Sequence, residues 1–202
     1  KGMEERTLLT RTLEDYGEKA KLDKEAKKIA ANKRVLARIL QGTVPELDGL
    51  DRDQIISCIE SVEISESSAT RPEPEAITGM NTEDADPDAG TARFDVKFYI
   101  RTHGKPRVKI IINVEIQQDS YPGYDLVTRG VFYGCRMIAS QKDVEFSGDD
   151  YDSLKKVYSI WLCLEAPKVE ADTITRYHLV PEAVTGKTDP NRHRYDLINV
   201  TM

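Results

Sequence analysis

The sequence predicts an α/β domain, a mixed β-sheet with helices on its faces, preceded by an N-terminal helical segment. Two neighbouring runs rich in β-branched and aromatic residues, 94–100 and 108–117, are joined by turn chemistry and read as a hairpin. Apolar residues recur at helical spacing before and after that hairpin. A further apolar run, Lys156 to Leu164, follows the later helix and reads as a buried strand. The resulting order, helix, helix, irregular insertion, strand, strand, helix, strand, places helices on both sides of one sheet.

Each element has a local reason. Residues from about Glu4 to Gln41 contain one Gly and no Pro, and Ile29, Val35, Leu36, Ile39 and Leu40 recur at helical spacing. Gly42 and then Pro45 end this helix. A second helix is expected from Arg52 to Glu60, with Asp51 as N-cap and Ile55, Ile56 and Ile59 on its buried face. From about 66 to 91 the chain turns to Ser, Pro, Glu, Asp and Ala and cannot bury much, which predicts an exposed irregular insertion. Its acidic residues lack the Gly and the closing Glu of an EF-hand loop. The hairpin turns at His103-Gly104-Lys105-Pro106. A third helix is expected from about Tyr124 to Gln141, with Val127, Val131, Gly134, Cys135 and Ile138 as its core stripe. Arg129, Tyr133 and Arg136 form a second stripe on that helix. Thr173 to Val180 and Tyr195 to Val200 read as further strands. The latter lies so near Met202 that the chain is expected to continue beyond it.

Composition bounds function. The 202 residues suffice for one domain with a sizeable core. A net charge of −6 argues against holding nucleic acid by bulk electrostatics alone, though metal ions or a local basic patch can offset acids around a site. Cys58, Cys135 and Cys163 are widely spaced and form no Cys/His cluster, so a zinc site is not expected and a reducing, cytoplasmic setting is the default. No apolar run approaches the length needed to span a membrane. His103, His178 and His193 lack a second ligand at metal spacing, and no nucleophile elbow is present.

The unusual feature is acidic. Strand side chains alternate faces, so Glu115 and Gln117 point one way while Val114 and Ile116 point the other. A loop with an odd number of residues, centred near Lys105, places Asp95 across from Glu115, with Cβ atoms about 4.5–5.5 Å apart. Two carboxylates that close repel, and one takes up a proton unless a divalent cation lies between them. Mg²⁺ takes one or two carboxylates together with water and phosphate oxygens. The plain alternative is a strand end whose acids face water.

This order, together with Asn32-Lys33-Arg34-Val35-Leu36-Ala37-Arg38-Ile39-Leu40, Ile59-Glu60, Phe94-Asp95-Val96, Val114-Glu115-Ile116-Gln117 and the run from Tyr121 to Gly134, resembles the PD-(D/E)XK nuclease superfamily. Within it the chain looks like the bacterial nuclease-family transposases, which include recombination-promoting nucleases. The similarity covers most of Ala31 to Leu164. It implies a restriction-endonuclease-like core (αβββαβ), with a short strand hidden near Ser61 to Ser65. The domains are then an N-terminal helical extension over 1–30 and a nuclease-like domain over 31–202 that carries the insertion. The resemblance further implies Mg²⁺- or Mn²⁺-dependent hydrolysis of DNA phosphodiesters. In that scheme Asp95, Glu115 and the Ile116 carbonyl bind the metal, and an acid on the first core helix completes the site. Glu60 is the candidate for that acid, with Glu46 behind it.

Gln117 stands where the family pattern has Lys. It carries no charge and cannot titrate, though its amide can orient a water. Arg129, Tyr133 and, less strongly, Arg136 are candidates for contacting the DNA backbone, because a guanidinium matches phosphate geometry. The competing reading for that stripe is a solvated face with a salt bridge to Asp125. Lys97 is expected to form a structural ion pair with Asp95. Many proteins of this superfamily dimerise to cut both strands, but nothing in this sequence identifies an interface. Two rival readings are a nuclease-like fold kept as a binding adaptor without catalysis, and a protein-binding scaffold that docks through the acidic loop.

Overall fold

A computed structural model describes residues 25–60, 83–86, 90–103, 107–189 and 195–202. Residues 4–24 of the expected first helix, most of the insertion, the strand near Ser61–Ser65, the turn at 104–106 and the basic loop 191–194 lie outside the described residues.

The first helix is not continuous. Residues 25–30 are helical, then Asn32 adopts an extended conformation and its side chain accepts a hydrogen bond from the Arg34 N–H at 2.9 Å. An Asn side chain competes for main-chain N–H groups and so restarts the helix. The restarted helix, α1 (Lys33–Thr43), buries Leu36, Ala37 and Leu40. Pro45 then opens a 3-10 turn, Pro45–Leu47. Helix α2 (Arg52–Cys58) begins with a reciprocal capping box between Asp51 and Gln54. It stops before Glu60, and Ile59 instead forms an antiparallel bridge with Ile100.

Part of the acidic insertion is regular after all. β1 (Glu83–Asp86) and β2 (Gly90–Arg93) pair antiparallel as a separate hairpin. Backbone pairing needs no buried side chains, so composition did not disclose it. The main sheet has five strands, β3 (Val96–Arg101), β4 (Lys109–Asp119), β5 (Lys156–Glu165), β6 (Arg176–His178) and β7 (Ile198–Thr201), in the order β3-β4-β5-β7-β6. β3 and β6 run antiparallel to their neighbours, whereas β4, β5 and β7 are parallel. The mixed sheet flanked by helices is therefore as expected.

Parity divides the core. Even-numbered residues such as Phe98, Ile112, Val114, Tyr158 and Ile160 pack with α1 and α2. Odd-numbered Tyr99, Ile111, Val157 and Trp161 pack with α3 (Leu126–Ala139). The expected stripe on α3 holds at Gly134 and Ile138 but is corrected elsewhere: Val131 and Cys135 are exposed, while Gly130, Tyr133 and Met137 join the buried face. Glycine explains the rotation. A Cβ on Gly130 would lie 2.5 Å from Val200 Cγ1, and one on Gly134 would lie 2.7 Å from Ile198 Cγ2. Only a bare helix face approaches β7 so closely, and that turns Arg129 and Tyr133 towards the sheet.

Candidate active site

The site lies where the β3–β4 ladder ends. Val96 pairs with Val114, so the register is centred on position 105 and the next step sets Asp95 against Glu115. The two residues brace each other through the backbone. Glu115 Oε1 accepts the Asp95 N–H at 3.0 Å, and Asp95 Oδ2 accepts the Ile116 N–H at 3.1 Å. Ile116 thus contributes its N–H to this brace. Asp95 Oδ1 meets Lys27 Nζ at 3.0 Å.

Glu115 is 4% exposed. Burial, and then the neighbouring Asp95 charge, push its carboxyl up to about 7, against the opposing pull of the Asp95 N–H, Asn113 and Arg129. Asn113, two residues back on the same face, is fully buried, and neither atom of its amide has a hydrogen bond of good geometry. Gln117, next on that face, is half-buried and lies opposite Cys163 in the parallel register with β5. No hydrogen bond joins its side chain to the described residues.

Arg129 approaches from α3. Its Nη1 donates to Tyr124 Oη at 2.7 Å and its Nη2 to Tyr133 Oη at 2.9 Å. The guanidinium carbon lies 5.2 Å from the Trp161 ring centroid. Tyr133 is itself held edge-on by Phe94 at 5.2 Å and against Trp161 at 5.5 Å. Burial works against the charge of Arg129, but the Tyr133 hydroxyl, Tyr124 and Glu115 outweigh it and keep the group firmly protonated. The expected partner Asp125 is instead the N-cap of α3, accepting from the Val127 N–H at 2.8 Å. Arg136 is buried two turns further along the helix. Lys97 Nζ lies 4.8 Å from the Phe94 ring centroid.

The two helix acids are elsewhere. Glu60 follows α2, pairs with Arg101, and its N–H bonds the Tyr99 carbonyl at 3.0 Å. At about 3.3 Å per residue this is roughly 13 Å along β3 from Asp95. Glu46 takes the Tyr158 hydroxyl at 2.7 Å and Lys156 Nζ at 3.0 Å, at the start of β5. Among the described residues no group of three or more His, Cys, Asp or Glu side chains is arranged to hold a metal ion. Sequence reasoning missed Lys27, which nothing distinguishes from the other lysines of its segment. It also passed over Asn113, whose signal was a lone amide inside an apolar run.

A cavity of about 750 Å³ lies beside the site, at the C-terminal ends of β5 and β7. Arg38, Ile39, Tyr121, Trp161 and Thr201 line it, but neither Asp95 nor Glu115 does. Trp161 lines the cavity and its ring also lies against Arg129. Among the described residues no helix is long and apolar enough to cross a membrane.

In comparisons with known proteins, no family model, no curated protein and no solved structure matches this chain.

Proposed function

We propose that the protein is a metal-dependent DNA endonuclease of the PD-(D/E)XK, transposase-associated type, on a restriction-endonuclease-like core, acting on DNA as a monomer or homodimer. The observation that carries this reading is the opposition of Asp95 and Glu115 at a strand end, with Glu115 buried and its carboxyl raised to about 7. A carboxyl perturbed by burial together with a charged neighbour is characteristic of sites built for chemistry.

The residues suit Mg²⁺ or Mn²⁺. Two adjacent carboxylates are the number that Mg²⁺ takes from a protein while keeping its waters, and Asp95 and Glu115 would be the ligands. When bound, such an ion lowers the pKa of a water and offsets phosphate charge. The chain's own residues do the rest. Glu115 would give up its proton to hold a cation, and the backbone brace fixes both carboxyl groups. The Gln117 amide, without a partner among the described residues, is available to orient a water. Arg129, held close to the Tyr133 and Trp161 rings, offers a guanidinium to the DNA backbone.

Nicking of supercoiled plasmid with Mn²⁺ tests the proposal. Asp95→Ala or Glu115→Ala should abolish nicking while circular dichroism stays unchanged. A folded wild-type protein that nicks nothing with Mg²⁺ or Mn²⁺ rejects it.

A second reading, a nuclease-like adaptor without catalysis, is favoured by Gln117 and by the remoteness of Glu60 and Glu46 from the pair. Calorimetric Mn²⁺ titration separates the two, because an adaptor would give no binding heat while remaining folded.

A further inference from the structure

A positive charge reaches the carboxylate pair from another part of the chain. Lys27 belongs to the helical stretch ahead of α1, whose Ala30 packs in the α1–α2 core. Its Nζ contacts Asp95 Oδ1, the oxygen that the Ile116 N–H leaves open. That oxygen is also the one a divalent cation would need, so ammonium and dication compete for it. At 38% exposure the Lys27 side chain has solvent beside it, whereas Asp95 is only 14% exposed, so the ammonium closes the carboxylate pair off from water and can swing outwards without crossing packed side chains. Lysine carries a compact charge on a flexible stem of four carbons. Once displaced from Asp95, the ammonium stays tethered at the site beside any anion that enters with the metal.

We propose that Lys27 is the phosphate-facing cation of this site, resting on Asp95 in the free protein and turning to the scissile phosphate when a divalent ion takes Asp95. The proposal rests on the endonuclease reading above. It assigns to Lys27 a contact with a DNA phosphate oxygen, made through charge and hydrogen bonding and without proton transfer. Lys27 and Arg129 would then flank the phosphate, Lys27 from the segment that packs with α1 and Arg129 from α3.

The test uses the full chain with Lys27→Met, Lys27→Gln and Lys27→Arg, measuring Mn²⁺ affinity by calorimetry and plasmid nicking at saturating Mn²⁺. Lys27→Met should bind Mn²⁺ about three- to fivefold more tightly, because a competing surface charge is gone. It should nick about 100-fold more slowly, the usual loss for one transition-state donor. Lys27→Arg keeps the charge and should nick within about tenfold of wild type. If Lys27→Met fails to fold by circular dichroism, Lys27→Gln carries the same comparison. Nicking by Lys27→Met within about threefold of an active wild type overturns the role of Lys27 and leaves the endonuclease reading standing. Mn²⁺ affinity unchanged in Lys27→Met overturns the competition at Asp95, whether or not the protein nicks. A wild type that binds Mn²⁺ and nicks nothing overturns the endonuclease reading and the phosphate contact together.

Discussion

Glu115 accepts a hydrogen bond from the backbone of Asp95 while Asp95 accepts one from the backbone beside Glu115, at Ile116. Each carboxylate therefore fixes the chain that carries the other. Only Glu115 is buried deeply enough for its own charge to be costly.

That burial makes stability depend on pH with a definite sign. The folded carboxyl sits at about 7, above its ordinary value of 4.5. The stabilisation is therefore fully present below pH 4.5 and is lost as pH rises through 7. The span corresponds to roughly 3 kcal/mol. Calorimetric melting of wild type and Glu115→Gln between pH 5 and 8 should show the wild type losing stability relative to the variant as pH rises. Parallel curves would refute the assignment.

Bound Mn²⁺ requires the deprotonated carboxylate, so its affinity should increase as pH rises towards 7 and then level off. Titrations in two buffers of different protonation heat would reveal about one proton released per ion near pH 6. Absence of any proton release would place the ion elsewhere.

Gly130→Ala sets helix propensity against packing. Alanine favours the helix by about 1 kcal/mol. Its methyl, however, would meet Val200 Cγ1 at 2.5 Å and Trp161 Nε1 at 3.1 Å, and overpacking of this kind costs about 1–3 kcal/mol. Packing should win, and chemical denaturation should show a less stable protein.

Arg129→Ala removes two tyrosine hydrogen bonds and stacking on Trp161. The loss should be about 2 kcal/mol by urea unfolding. Arg129→Lys should recover less than half of it, because an ammonium cannot span both hydroxyls while lying on a ring.

Asn113→Leu removes a buried amide that has no well-formed hydrogen bond but favours the charged form of Glu115. At pH 5, where Glu115 holds its proton, the apolar replacement should stabilise the fold by about 1–2 kcal/mol, read as a higher Tm. A lower Tm would mean that the amide holds a partner, such as a buried water.

How far these features were legible depends on their range. The Asp51 cap, the Pro45 stop and the strand alternation that puts Glu115 and Gln117 on one face are set by neighbours in sequence, and each was readable there. The hairpin register followed from one turn length, so the Asp95–Glu115 opposition was readable too. The break at Asn32 was local but was overlooked in favour of a long helical pattern.

What the sequence determined by itself is this local and near-local geometry, because caps, turns and strand periodicity act within a few residues. Tertiary structure decided the rest. It chose the buried face of α3 through the close approach of Gly130 and Gly134 to β7, gave Glu60 to Arg101 and Glu46 to Tyr158, and brought Lys27 to Asp95 across 68 positions of chain. Those pairings depend on how helices seat against a sheet, and that is settled by packing and charge between segments far apart in sequence.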